Sequence, residues 1–89
     1  MMNDEIYEEL EIEFERHRID EDVEEVLLDL AEALADHGVM DQEVSLVQAY
    51  GKTPITVWGR CEEEDEEVNV FINRISIGKK KFVIEDYFL

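Results

Sequence analysis

The sequence predicts an α+β fold in which two N-terminal helices pack on a four-stranded antiparallel β-meander, in two layers. Residues 1–43 carry apolar residues at helical spacing, whereas β-branched and aromatic residues crowd the remainder. Short turn sequences separate the strand candidates, which makes consecutive strands antiparallel neighbours. A chain of 89 residues has room for one core, so residues 1–89 are interpreted as a single acidic domain.

The second helix is the most regular element of the pattern. Asp20 or Asp22 can cap its start, and Gly38 after His37 provides a stop. Between these ends, the apolar residues recur three and four positions apart: Val23, Val26, Leu27, Leu30 and Leu34. The spacing therefore predicts a helix that ends at His37 and buries one stripe.

Residues 4–18 fit two patterns. Four apolar residues share one helical face: Ile6, Tyr7, Leu10 and Phe14. Leu10, Ile12 and Phe14 also alternate as in a strand. We favour the helix because Glu is a good helix former and a poor strand former, although Ile12 fits it badly.

Four strand candidates follow Gln42. They run from Val44 to Tyr50, Ile55 to Arg60, Val68 to Ile77 and Lys81 to Tyr87. Gly51-Lys52-Thr53-Pro54 is expected to close the first hairpin, the acidic run Glu62 to Glu67 to form the second connection, and Gly78-Lys79 to form the third turn. Trp58 and Tyr50 suit either the core or an interface.

The charge of the chain is extreme and uneven. Twenty-five acids against eight Lys and Arg give a formal net charge of −17. A net charge with a magnitude of about 2 to 8 is enough to keep a small domain soluble. Residues 1–43 hold 17 acids and 2 bases, a net charge of −15, and residues 44–89 hold 8 acids and 6 bases, a net charge of −2. Such a chain repels nucleic acid and anionic membranes, so we expect it to bind neither directly. The partner it suits is a protein with a basic, nucleic-acid-binding surface.

Catalytic and metal-binding patterns are weak. His17 and His37 fall at or near helix ends, and Cys61 is the single cysteine. Arg60 favours a lowered pKa for the Cys61 thiol, while the acids that follow oppose it. The acidic run lacks the ligand spacing and the Gly of a calcium loop. We therefore expect no enzyme activity, no cofactor and no metal, in a protein of the reducing cytoplasm of a bacterial or archaeal host.

Carboxylates form the candidate binding site. One stripe on the second helix falls within about 80 degrees of arc and spans about 20 Å, with roughly one charge per 5 Å against about 3.4 Å per phosphate of a DNA strand. Its members are Asp22, Glu25, Asp29, Glu32 and Asp36; Glu8, Glu11 and Glu15 line the first helix, and Glu63, Glu64 and Asp65 come from the acidic run. Such faces can be ordinary solvated surface, yet no Lys or Arg lies between Asp20 and His37 to offer the usual opposite-charge partner. The basic cluster, Lys79 to Lys81, is interpreted as charge balance within the fold.

In size, charge and helix-surface pattern, though in no motif, the chain resembles the small acidic DNA-mimic inhibitors of bacteriophages and mobile elements, such as anti-restriction and anti-CRISPR proteins. The resemblance implies a decoy that occupies the basic groove of a CRISPR effector, a restriction enzyme or a repair enzyme. Two alternatives stand beside it: an immunity protein or antitoxin that neutralises a nuclease toxin, and an ordinary domain acidified for high salt. The oligomeric state is left open between monomer and homodimer.

Overall fold

Two helices precede four strands in the computed structural model, which describes the backbone of residues 4–37 and 39–88 and side chains as far as Ile84. The elements are α1 (Asp4–Arg16), α2 (Val23–His37), β1 (Val44–Tyr50), β2 (Thr53–Glu64), β3 (Glu67–Ile77) and β4 (Lys80–Phe88). Every strand pairs antiparallel with the next, and the sheet order is β1-β2-β3-β4. The predicted α+β meander is confirmed, with an open sheet.

Both helices adopt the form that the periodicity predicts. The Val26 amide donates to the Asp22 carbonyl at 3.0 Å, so Asp22, and not Asp20, holds the cap position of α2. The predicted stop at Gly38 lies outside the described residues. Residues 4–16 form a helix, and the poor fit of Ile12 is explained because its side chain is 51% exposed.

The chain leaves α1 through a left-handed residue. Arg18 has a φ of 57°, and the Ile19 amide donates to the Phe14 carbonyl at 2.8 Å. This six-residue closure usually places glycine at the left-handed position, because a side chain is disfavoured there. It reverses the chain so that α2 can return beside α1.

The acidic run is not the loop that we expected. Glu62 to Glu64 belong to β2 and Glu67 begins β3, which leaves a two-residue turn, Asp65-Glu66, with φ values of 51° and 68°. Positive φ at both central residues is the pattern of the type I′ turn, whose twist matches that of a hairpin. Pairing across the hairpin therefore outweighs the weak strand propensity of Glu. In the first hairpin, Thr53 and Pro54 also belong to β2, and the turn is Gly51-Lys52 alone.

The core lies between the helices and one face of the sheet. Its members are Leu10, Phe14, Val23, Val26, Leu27, Leu30, Ala31 and Leu34 from the helices, and Ile55, Val57, Cys61, Val70, Ile72, Ile75, Ile77, Phe82 and Ile84 from the sheet. The inward alternation of β2 includes Gly59, where a Cβ would lie 2.5 Å from the Phe71 carbonyl oxygen and 2.8 Å from Leu34 Cδ1. Glycine thus allows α2 to approach the sheet closely. Among the described residues no helix is long and apolar enough to cross a membrane.

Candidate partner-binding surface

The predicted carboxylates all lie exposed. We call the following eleven residues the acidic surface: Glu8, Glu11 and Glu15 on α1, Asp22, Glu25, Asp29, Glu32 and Asp36 on α2, with Asp22 at its cap, and Glu63, Glu64 and Asp65 on the β2–β3 hairpin. The helical members point away from the buried stripes of α1 and α2 because they occupy the opposite helical face. From Asp22 to Asp36 the α2 row extends over about 21 Å, at a rise of about 1.5 Å per residue.

The acidic surface is not neutralised from within. In the part of the chain that the structure describes, no member of the acidic surface forms an ion pair with Lys, Arg or His. The ion pairs found among the described residues include three other acids: Glu13, Glu43 and Glu62. Cations are therefore held elsewhere, and the helix carboxylates repel one another across solvent.

The two helical rows meet at one corner of the molecule. Glu11 and Glu15 of α1 line a cleft of about 220 Å³ together with Asp20, Glu21 and Asp22 of the following segment. The sequence predicts two separate rows and assigns neither Asp20 nor Glu21 to the binding surface. The structure joins the rows because the chain reverses after α1, so five carboxylates gather around the start of α2.

The acidic hairpin lies at the other end of α2. The Asp41 amide, just beyond α2, donates to the Cys61 carbonyl at 2.7 Å, and the hairpin continues past Cys61 to its tip at Asp65. Glu63, Glu64 and Asp65 therefore extend the acidic surface beyond the C-terminal end of α2. They do not join the corner where Glu11 and Asp22 meet.

Two exposed apolar side chains border the helical rows. Leu28 of α2 is 52% exposed and Ile12 of α1 is 51% exposed. On a helical wheel Leu28 lies about 40 degrees from Glu32, and Ile12 about 40 degrees from Glu8. Each helix thus presents one large apolar group at the edge of its carboxylates, a feature that charge counting does not reveal.

Glu13 is the buried exception among the acids. Its side chain is 5% exposed and lies 3.3 Å from Arg16 Nη1, 3.5 Å from His17 Nε2 and 3.7 Å from Lys80 Nζ. The contact with Lys80 ties α1 to the start of β4 and agrees with the interpretation of the lysines as internal charge balance. Glu13 is not among the residues predicted from the sequence, although its wheel position, about 60 degrees from Leu10, faces the core side.

Arginines cover the aromatic residues on the outer face of the sheet. The Arg74 guanidinium lies 4.9 Å from the Trp58 ring centre, and the Arg60 guanidinium lies 4.7 Å from that of Phe71. Arg74 also donates to Glu43 at 3.1 Å. A hydrogen bond from Asn73 and the charge of Arg74 hold the pKa of Glu43 below its usual value. Trp58 is therefore a half-buried residue of the sheet face, outside the core.

Tyr50 occupies the opposite face and packs against the core. Burial, with the charges of Asp29 and Glu21, raises its pKa to about 12. It lines a cleft of about 660 Å³ between the β1–β2 turn and the segment that joins the helices. The sides of this cleft carry both cations and carboxylates, including Arg18 and Asp20, so it lacks the single sign of charge found at the acidic corner.

Neither a reactive thiol nor a metal-binding cluster is found among the described residues. Cys61 is 1% exposed, and burial raises the pKa of its thiol, so the lowered pKa that Arg60 favours is not observed. No group of three or more His, Cys, Asp or Glu among the described side chains is placed to hold a metal ion. The arrangement can attract cations and repel anions.

Comparison of the chain with protein-family models, with curated proteins and with solved structures finds no match. The interpretation of the acidic surface therefore depends on its geometry and charge.

Proposed function

We propose that the protein is a protein-binding inhibitor whose acidic surface imitates nucleic acid and occupies the basic groove of a nucleic-acid-binding protein. The observation that carries this proposal is the set of eight exposed carboxylates, without ion pairs among the described residues, that continue from α1 through the joining segment along α2, with three more on the β2–β3 hairpin. The target class is a CRISPR effector, a restriction enzyme or a repair enzyme.

Electrostatics support a partner that already binds phosphates. Arg and Lys placed to meet phosphates can form charge-assisted hydrogen bonds with carboxylates at similar distances. An exposed carboxylate at 0.15 M salt is screened beyond about 8 Å, so the partner must bring its cations into close contact. A row with unrelieved repulsion gains more from such contact than a row already paired with its own lysines.

The test is capture of a defined target followed by competition with DNA. The purified protein is immobilised, and a candidate nucleic-acid-binding protein with a basic groove is bound to it. Duplex DNA is then titrated at two salt concentrations. We expect DNA to displace the target, and capture to weaken as salt rises. Capture that is unaffected by excess DNA and by salt contradicts the proposal.

Matched variants separate the position of the charge from its amount. Asp29→Asn with Glu32→Gln raises the net charge by two within the α2 row, and Gln42→Lys with Val83→Lys raises it by two at exposed positions outside that row. We expect the first pair to weaken capture at least ten-fold more than the second, while circular dichroism shows both variants folded. Equal losses indicate an effect of net charge alone and contradict the imitation of a phosphate row.

A second candidate is a dedicated antitoxin or immunity protein for a nuclease toxin. Leu28 and Ile12 favour it, because an exposed apolar group beside a charged row can anchor in a partner's pocket. Leu28→Asn should then weaken binding as strongly as loss of a carboxylate, and binding should persist at high salt. A decoy that relies on charge tolerates Leu28→Asn.

A further inference from the structure

The two edges of the sheet differ in their protection against pairing. β4 carries Lys80 and Lys81 at its start, and its pairing with β3 is interrupted between Ile72 and Arg74. Charges and bulges are the devices by which edge strands avoid other chains. β1 has neither device: its seven residues, VSLVQAY, contain no charge and no proline, and its register with β2 is continuous.

The unused hydrogen-bonding groups of β1 can be assigned. The Gly78 amide donates to the Pro54 carbonyl at 3.1 Å, so Pro54 directs its carbonyl away from β1 and towards β3. Pro54 lies opposite Ala49, which makes this a pair without mutual hydrogen bonds. By alternation, Ser45, Val47 and Ala49 direct their amides and carbonyls to the open edge.

These three residues are symmetric about the middle of the strand. Val47 is the central residue of Val44–Tyr50 and is 63% exposed, the highest exposure among the large exposed hydrophobic residues described. An antiparallel copy of β1 placed about 4.8 Å away would pair Val47 with Val47 and Ser45 with Ala49. All six amide and carbonyl pairs would then be satisfied, and the two valines would meet on the outer face.

We propose that the protein forms a two-fold dimer through β1, with a continuous eight-stranded sheet. This edge fits a second copy of the chain. In the antiparallel register, the edge-facing amides and carbonyls of one copy meet the edge-facing carbonyls and amides of the other. On the helix side, the partner would cover three residues that are half-buried in one copy: Val44, Leu46 and Tyr50. The proposal depends on the edge alone and not on the proposed imitation of nucleic acid.

Salt should have opposite effects on the formation of this dimer and on the binding of a basic partner protein. Each copy carries a formal net charge of −17, and Asp29 and Glu21 lie near Tyr50 at one end of β1, so two copies that pair through β1 repel each other. Screening of this repulsion should strengthen the dimer as salt rises. Capture of a basic groove should weaken over the same range, so failure of one proposal is distinguishable from failure of the other.

The first test measures mass in solution over a concentration series at two salt concentrations, by sedimentation equilibrium. We expect a monomer–dimer equilibrium that shifts at least ten-fold towards dimer at the higher salt. Val47→Lys, which brings two cations together at the axis, should give monomer, whereas Val83→Lys on β4 should leave the dimer unchanged. A monomer under all conditions, or a dimer that survives Val47→Lys, overturns the proposal.

Cross-linking tests the register and does not depend on the lysine variant. A short thiol cross-linker should join Val47→Cys to its copy, since paired Cα atoms lie about 5.5 Å apart. Ser45→Cys should not join to itself, because the two sites would be four residues apart along the strands, but it should join when mixed with Ala49→Cys. Cross-links that form equally well in Val83→Cys, or in Ser45→Cys alone, contradict the pairing.

Discussion

Gly59 is the position where one methyl group should cost the fold most. In Gly59→Ala the new Cβ would lie 2.5 Å from the Phe71 carbonyl oxygen and 2.8 Å from Leu34 Cδ1, and both distances are shorter than a carbon atom tolerates. Leu34 can move by changing rotamer, but the Phe71 carbonyl belongs to the paired strand β3. Overpacking of this kind costs about 1–3 kcal/mol, and the backbone contact places Gly59→Ala towards the upper end, at about 2–3 kcal/mol.

The assay is urea unfolding followed by circular dichroism, with thermal unfolding as a second measurement. A loss of about 2–3 kcal/mol corresponds to a fall in Tm of roughly 10–20 °C for a domain of this size. Gly51→Ala is the matched control: its Cβ meets nothing within 4 Å, but its φ of +66° disfavours a side chain, which costs about 1–2 kcal/mol. Leu34→Ala in the Gly59→Ala background should restore part of the loss relative to the sum of the two single changes. A Gly59→Ala loss below about 0.5 kcal/mol, or one smaller than that of Gly51→Ala, refutes the close approach of α2 to β2.

Three further predictions concern ionisation, reactivity and salt. Absorbance titration should reveal a tyrosine that ionises at about pH 12 and is missing in Tyr50→Phe; because this pKa is raised from 10, the associated stability is present below pH 10 and is lost as the pH rises to about 12. An ordinary titration in the wild type contradicts the burial of Tyr50. Cys61 should react with a thiol reagent at least a hundred-fold more slowly in the native protein than in urea, and equal rates contradict its 1% exposure. Finally, the domain should remain folded in low salt and gain stability as salt is added, whereas unfolding in low salt favours the acidified-domain alternative.

Periodicity predicted most of the fold because most elements have one buried face. The buried stripe of α2 and the bounds of β1 follow directly from spacing and turn residues. The acidic run is different: near its tip both faces of the hairpin are solvated, so no alternation reports the strands. The pairing of Glu63 with Val68 and of Glu64 with Glu67 depends on the turn at Asp65-Glu66, in which Glu66 has a positive φ that is not typical of Glu.

The candidate site, like the fold, could be predicted from the sequence only in part. The exposure of the helical carboxylates could be predicted, since the face opposite a buried stripe must meet solvent. Their junction could not, because the approach of Glu15 to Asp22 depends on the reversal through Arg18, a residue type that rarely marks a left-handed position. Glu13 was missed since glutamate on the core side of a helix is stable only beside cations, and one of its partners, Lys80, is supplied by the tertiary structure.

The distribution of ion pairs also bears on the alternative that the acidic helix faces are ordinary solvated surface. If the negative charge were merely tolerated, cations would be expected beside the carboxylates near Asp22 and along α2. The ion pairs found among the described residues instead use Glu13, Glu43 and Glu62, at positions that join α1 to β4 and brace the outer sheet. The carboxylates of the acidic surface are left for another molecule or for salt to neutralise. One salt titration on the purified protein and a captured groove protein can therefore separate the two inferences, because binding through the acidic surface weakens under screening while pairing through β1 strengthens.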